Sequence, residues 1–381
     1  MRKFVNKTIL YLNIIFAVLL LLAYTSVAIS PKTIWVLAFF GLAYPFLLVI
    51  NVVFLLFWIW RKKRYFLVSL IAILIGWNHL NAYIRLPLIH EGSSGQETAQ
   101  KLQQPEFNLM SFNVRLFNVY DWINKPNIPA KIIDLLKAYN PGVLCIQEFY
   151  TENEGNLNTR KVFENYKALP YAHIKYNSTG KKAKYGIATF SKYPIVAKGT
   201  ILFNHTFNIC IFTDIVISGD TVRIYNIHLQ SNRFVQNNYA FIDSLKFKYD
   251  EKQMEEIRDI SSRLKNAFIM RSEQAEIVSE HAKKCPYPYI ICGDFNDTPV
   301  SFTYQTLKKG RLDAFRESGK NGTGKTYRGR FPAYRIDYII YDHKLRSTRY
   351  KKIKVALSDH YPIMCTFSID NNQNRKQTVK K

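Results

Sequence analysis

Residues Tyr289–Pro299 read YIICGDFNDTP. An uncharged apolar run stops at a glycine, and a carboxylate and an amide follow at once. The run reads as a strand buried inside the protein. Gly293 carries no side chain, so another group can approach the backbone closely there. Asp294 and Asn296 stand two apart, so in an extended segment both point to one side. A carboxylate and an amide at a strand end are a reasonable pair for positioning a water molecule and a phosphate.

The same grammar recurs on both sides of this stretch. Short β-type runs appear as FNLMSFNV, GVLCIQEF, YGIATFS, FNICIFTDIVI, TVRIYNIHL, RIDYIIY and YPIMCTFSI. Helical stretches lie between several of them, at Pro129–Tyr139 and in the long segment Asp243–Lys284. Many short strands mixed with a few helices predict an α/β sandwich with two sheets at its centre. There is no internal repeat.

Polar residues punctuate the strand ends. Asn113 closes LMSFNVR, where an asparagine also suits a plain turn. Glu148 ends VLCIQEF; such an edge carboxylate is either structural or a holder of Mg2+. His228 ends YNIHLQS and also fits a satisfied half-buried histidine. Arg335 and Asp337 alternate in RIDYI, so they share a side. In SDHYP, Asp359 adjoins His360 just before the last strand. A histidine with an acid partner serves as a general base, or as an imidazolium facing a phosphate.

Taken in order, these residues form the series Asn, Glu, His, Asp-x-Asn, Asp, Asp-His. That series resembles the endonuclease/exonuclease/phosphatase superfamily over about Phe107–Ile369, with GDFN, SDHYP and RIDYI as the most specific stretches. KYGIATFSKYPI (Lys184–Ile195) and RSEQAEIV (Arg271–Val278) also look like stretches of that family. The resemblance implies a four-layer α/β/β/α sandwich of the DNase I-like kind. It implies Asn113, Glu148 and Asp359 at a Mg2+ site that Mn2+ can also fill. It implies His228, Asp294, Asn296, Asp337 and His360 as catalytic, with Asp337 orienting His360, and Arg271 and Arg335 toward the substrate. Either Asp294 or His360 takes the proton of the attacking water. Arg115 departs from the apurinic endonucleases, which carry an acid at that place, and this disfavours genomic repair.

The first 84 residues are of another kind. Three apolar stretches, Ile9–Ile29, Ile34–Trp60 and Tyr65–Ile84, contain no charged residue. Each is near or above the roughly 20 residues a helix needs to span a bilayer. Arg2, Lys3 and Lys7 precede the first stretch, and Arg61–Arg64 separates the second from the third; the intervening turn holds only Lys32. The positive-inside rule then puts the N-terminus and the RKKR loop in the cytoplasm. Three spans predict a multi-pass protein of a bacterial inner membrane with its remainder periplasmic or extracellular. The expected organisation is an anchor at 1–84, a polar linker at 85–106, a catalytic domain at 107–370 and a basic disordered tail at 371–381.

The formal net charge is +25, and 15% of residues are aromatic. Such a surface suits phosphate-bearing partners, either nucleic acid or a lipid headgroup, as well as an ordinary solvated face. No obligate protein partner is implied. Four of five cysteines, Cys145, Cys210, Cys292 and Cys365, sit in strand-like runs as small buried hydrophobes. No Cys/His cluster points to zinc, and Cys285 and Cys292 remain a weak candidate pair. The expected function is metal-dependent hydrolysis of a phosphate ester by in-line attack of water, by a nuclease, phosphodiesterase or phosphatase. The alternative is a catalytically inactive membrane-held binding module of the same fold.

Overall fold

A computed structural model describes residues 2–85, 106–154, 157–180, 182–204, 206–234, 238, 241, 251–329 and 334–369. Most of the expected linker, the basic tail and the first part of the expected helical segment Asp243–Lys284 lie outside the described residues. The chain divides into two compact units. One comprises Met1–Arg85, Gln230–Ile277 and Asn296–Lys309; the other holds the remainder.

The first unit begins with helices α1 (Arg2–Thr25) and α2 (Val36–Trp60). Both are long and apolar enough to cross a membrane. The third apolar stretch, expected as one span, is a pair of helices, α3 (Phe66–Ile75) and α4 (Trp77–Tyr83), bent by 68°, which together are long and apolar enough to count as one broken span or a re-entrant loop. Gly76 occupies the break. Buried amides cross-link these helices. Asn13 donates to Ser69 (2.6 Å), Ser69 to Asn51 (3.1 Å), and the Trp58 indole to Asn13 (3.1 Å). Asn51 also donates to the Phe16 carbonyl at 3.0 Å. Polar bonds of this kind supply specificity where apolar surfaces alone do not distinguish neighbours.

In the second unit, β1 (Glu106–Asn113) leads through α5 (Ile128–Tyr139) to β2 (Val143–Glu152), with the short α6 (Thr159–Glu164) after it. Strands β3 (Tyr171–Thr179) to β7 follow: β4 (Ala183–Ser191), β5 (Ile195–Leu202), β6 (Ile209–Ile217) and β7 (Asp220–His228). The long α7 (Glu251–Lys283) connects β7 to β8 (Tyr289–Asp294). The chain closes with β9 (Leu312–Asp313), β10 (Asp337–Tyr341), β11 (Leu345–Lys352) and β12 (Ile363–Ile369).

Two six-stranded sheets result, ordered β11-β12-β1-β2-β4-β3 and β5-β6-β7-β8-β10-β9. Each has one parallel pair at its middle, β1/β2 and β7/β8. The α5 and α7 crossovers fit that need. Side-chain alternation builds the core. Phe107, Leu109, Val143, Cys145, Val222, Ile224, Ile290, Cys292, Ile339 and Tyr341 pack together between the sheets. Met110, Phe112, Leu144 and Ile146 face outward onto Ile128, Ile132 and Leu136 of α5. On the opposite outer face, Tyr225 meets His281 near the end of α7 at 2.9 Å. The expected α/β sandwich is the observed one. All five cysteines are free, including Cys285 and Cys292.

Gly293 has φ +137°, and a Cβ there would collide with the Ile227 carbonyl oxygen of β7. The sequence reading of this glycine as a close-approach position holds.

A fully buried polar bridge helps join the two sheets. Gln147 of β2 donates to Asn226 of β7 at 2.6 Å, and Asn226 donates to the Ala188 carbonyl at 2.8 Å. Both residues are fully buried. Asn226→Ala leaves the Gln147 amide and the Ala188 carbonyl without this partner, at a cost of about 2–3 kcal/mol. A thermal melt of the full chain in detergent should show a clear loss of stability; an unchanged midpoint would mean the bridge is not holding the sheets.

Candidate active site at the inner end of the sandwich

The alternation that fills the core also aims the polar residues. Asn113, His228, Asp294 and Asp337 each lie two residues from an inward-facing position on β1, β7, β8 and β10. All four therefore reach the interior at one end of the sheets. The register places His228 beside Asp294, and Asp294 beside Asp337. The carboxyl ends of β1, β7 and β8, the middle of β2 and the start of β10 supply this edge; carboxyl ends are the usual place for sites on sheets with parallel strands.

Glu148 is the exception to alternation. A regular β2 would turn it outward toward α5. Instead Gln147 and Glu148 together face one residue of β4, and the register shifts between Ile146 and Phe149. Glu148 takes φ +53°. This bulge re-aims its carboxylate inward, a use bulges often have beside active sites. Asn113 then donates to Glu148 (3.2 Å) and to Asp294 (3.0 Å). Its own oxygen accepts the Arg115 backbone N–H at 3.0 Å. Asn113 therefore orients two carboxylates, and its route to a cation runs through them.

His360 and Asp337 form a tight pair. His360 Nδ1 lies 3.0 Å from both Asp337 oxygens, and Nε2 lies 3.7 Å from Asp294 and 4.0 Å from Asp359. Burial pushes the imidazole toward the neutral form, but the charges of Asp337, Asp294 and Asp359 outweigh it and raise its pKa well above the ordinary value. His228 behaves oppositely. Burial lowers its pKa; Asp294 pulls it back up and His360 adds to the lowering. Its Nε2 is buried without a hydrogen-bond partner, 3.8 Å from both Glu148 and Asp294. That nitrogen can serve a ligand oxygen.

Several residues that position the site were not singled out in the sequence. Ser358 donates to the Asn113 carbonyl at 2.8 Å and accepts from the His360 N–H at 3.2 Å. Thr326 accepts the backbone N–H of Asp337 at 3.1 Å. Tyr327 packs edge-on against the His360 ring, centroids 5.3 Å apart. Ser358 was legible inside SDHYP as a short-range turn former; Thr326 and Tyr327 gave no local signal.

Three expectations are corrected. Arg335 does not face a substrate: it is 2% exposed, donates to Asp313 at 2.7 Å, and lies under the Phe315 and Tyr338 rings. Arg271 is 1% exposed and ties Asp297, the Gln230 carbonyl and Asn232 together. Alternation along RIDYI was the wrong guide, because the strand begins only at Asp337. Asn296 belongs to the other compact unit and takes φ +54°, so extended geometry does not carry it alongside Asp294. Arg115 supplies an accessible cation here, 3.3 Å from Asp359 and stacked 4.4 Å over the Trp122 ring.

A family model described as the Endonuclease/Exonuclease/phosphatase family matches residues 110–360. The chain belongs to the endonuclease/exonuclease/phosphatase family. A second model, described as a domain of unknown function (DUF8431), matches residues 6–83. Solved structures share the family fold. An endonuclease/exonuclease/phosphatase from Beutenbergia cavernae is 14% identical with a TM-score of 0.51, over 70% of this chain and 72% of that one. The human Nocturnin catalytic domain with bound sulfate is 17% identical, TM-score 0.50, over 70% and 95%. A family protein from Bacteroides thetaiotaomicron is 18% identical, TM-score 0.50, over 70% and 99%. No curated protein matches the sequence.

The donor set also fits the divalent metal that this family implies. Glu148 has its pKa raised, first by burial and next by the charge of Asp359. Two carboxylates that repel each other in a partly dry cleft, beside Asp294, carry excess negative charge that a hard cation relieves. Asp294, Asp337 and His360 also bring ligand-type atoms within 4.8 Å of one another. Hard cations prefer oxygen donors, and Asp337 is engaged by His360, so Glu148 and Asp359 are the better pair.

The His360–Asp337 pair yields a signed pH prediction. A raised folded-state pKa means stability that is fully present below the ordinary histidine value of about 6.5. It is lost as pH rises through the folded value. Asp337→Asn should therefore destabilise the metal-free chain most at pH 6 and progressively less at higher pH, read by thermal melting across that range. A destabilisation independent of pH would refute the pairing of charges.

Proposed function

We propose that this chain is a divalent-metal-dependent hydrolase of phosphate esters, held to a membrane by its N-terminal helices. The observation that carries the reading is the His360–Asp337 pair with Nε2 directed at Asp294, beside the unpartnered nitrogen of His228. Together these offer a proton acceptor, a fixed cationic donor and a neutral donor around one small space. Asp294, Asn296, His228, Asp337 and His360 are the proposed catalytic residues. Glu148 and Asp359 hold the metal, with Asn113 orienting the first.

Water attacks phosphorus in line with the departing oxygen. His360, protonated by its carboxylate neighbours, donates to a phosphate oxygen and meets the charge that grows there. His228, neutral through burial, donates from Nε2. This division favours Asp294 as the acceptor of the water's proton. Mg2+ bound at Glu148 and Asp359, or Mn2+ in its place, would supply charge neutralisation and polarisation of the phosphate. A covalent enzyme intermediate is not needed.

Residues 1–84 act as the anchor and 107–370 as the catalytic domain, joined through 85–106 and followed by a tail at 371–381. The membrane is the inner membrane of a bacterium, with the N-terminus cytoplasmic. The turn between α1 and α2 supports this topology, because Lys32 reaches Glu273 of α7 at 3.5 Å. That turn then lies on the side of the membrane that α7 occupies, away from Arg61–Arg64. The substrate is a phosphate ester of nucleic acid or of a lipid headgroup. Net charge does not choose between them.

Full-length protein in detergent should hydrolyse bis-p-nitrophenyl phosphate with Mg2+, lose that activity on chelation, and regain it on readdition. Absence of turnover with any metal would favour a binding module. Separately, His360→Ala and Asp294→Ala should each lower kcat by about 10²–10⁴ without lowering the melting temperature greatly. Wild-type turnover by either folded variant would remove that residue from the site.

A further inference from the structure

The first compact unit joins the membrane helices to two pieces of the family domain, α7 up to Ile277 and the segment Asn296–Lys309. That segment begins one residue beyond Phe295 and two beyond Asp294. Helix α2 has 25 residues. At 1.5 Å per residue it is about 37 Å long, against about 30 Å of hydrocarbon. Its first turns therefore have length to extend past the apolar layer, and those turns carry the contacts.

Phe39 meets Phe268 of α7 edge-to-face, ring centroids 5.3 Å apart. Lys265 of α7 caps the Trp35 ring at 4.9 Å. Lys32, in the turn before α2, lies 3.5 Å from Glu273 and 3.9 Å from Glu276. Gly41 closes the set. A Cβ there would collide with the Ser26 hydroxyl and stand 2.6 Å from the carbonyl oxygen of Val300, a fully buried residue. Only a residue without a side chain lets α2 lie this close to the 296–309 backbone.

A passive tether requires none of this. Lys32 is half-exposed and its ion pairs contribute little energy. The Phe39–Phe268 contact and the backbone approach at Gly41 rest on the buried Phe268 and Val300 and are specific in shape. We infer that the start of α2 is a positioning element for catalysis: it braces α7 and the Asn296–Lys309 segment, so that Asn296 is held in place by the anchor. Gly41 and Phe39 are the positioning residues. The inference rests on the proposed role of Asn296 and on the reading of α1 and α2 as membrane helices.

The test uses full-length protein reconstituted in lipid nanodiscs. Gly41→Leu drives α2 away from Val300, Phe39→Ala removes the ring contact less drastically, and Leu56→Ala, at an exposed position of α2, is the control. Two quantities are read: turnover of bis-p-nitrophenyl phosphate, and backbone hydrogen exchange of residues 296–309. Gly41→Leu and Phe39→Ala should speed exchange across 296–309 and lower kcat by about tenfold or more with KM nearly unchanged. Leu56→Ala should alter neither. Unchanged exchange at 296–309 in both variants overturns the inference, as does full kcat despite faster exchange. If the wild type shows no turnover, that counts against the proposed hydrolysis, and the exchange result alone decides the bracing.

Discussion

Like charges must be forced together before this site can exist. Glu148, Asp294, Asp337 and Asp359 share the inner end of the sandwich with two imidazoles, and Glu148 and Asp359 are close enough for one charge to raise the other's pKa. Among the described residues few cations offset them: His360, held protonated, and Arg115 at the rim. Neutral donors do the remaining work, above all Asn113, which bonds two of the carboxylates at once. A cluster with this surplus of acceptors is destabilising in an empty protein and well matched to a metal and a phosphate. The fold must therefore hold it rigidly from outside.

The rigidity comes from the pleat and from what interrupts it. Alternation delivers Asn113, His228, Asp294 and Asp337 to the interior without special devices. Glu148 needs one, and the bulge with its left-handed residue provides it. Such a conformation costs about 1–3 kcal/mol and persists only when its surroundings over-determine it. Gln147, the other bulge residue, supplies that constraint by bonding across the sandwich to Asn226. The strained residue and the cross-sheet bridge are thus adjacent in sequence and support each other. Gly293 serves the facing sheet in a comparable way, by allowing β7 and β8 to close up just before Asp294.

Much of this was legible because period-2 patterning survives in the sequence. YIICGD, TVRIYNIH and FNLMSFN each announce a buried strand and end on the polar residue that reaches the interior. The bulge at Glu148 left no such trace, since VLCIQEF reads as an ordinary strand with a polar end. Arg335 was misread for a related reason. Its alternation with Asp337 assumes a strand that has already begun, whereas the guanidinium turns back to Asp313 and two rings. Arg271 is similar: a basic residue in a family-like helix invites a substrate role, yet its fork closes on a loop that only tertiary structure brings near. Buried arginines of this sort are invisible to local pattern because their partners lie 22 to 41 residues away. Apolar length located two helices long and apolar enough to cross a membrane, but it could not show the 68° break at Gly76.

The amides among the N-terminal helices connect these themes. Apolar helices in lipid have little to prefer in one neighbour over another, because lipid tails are as apolar as leucine. A passive tether could leave that degeneracy alone. Here Asn13, Asn51, Ser69 and Trp58 bond one another between α1, α2 and α3, and each bond would be left unmade in a rotated or shifted arrangement. A helix fixed in rotation presents a fixed face at its end. For α2 that face carries Phe39 and Gly41, and contact with Val300 demands that the glycine, not a neighbouring large side chain, point at the backbone. A rotation of one residue, 100° on a helix, would put Phe40 or Leu42 there and close the gap. Rotational specificity among the N-terminal helices is therefore what the proposed bracing of α7 and the Asn296–Lys309 segment requires, and the polar bonds between α1, α2 and α3 provide it.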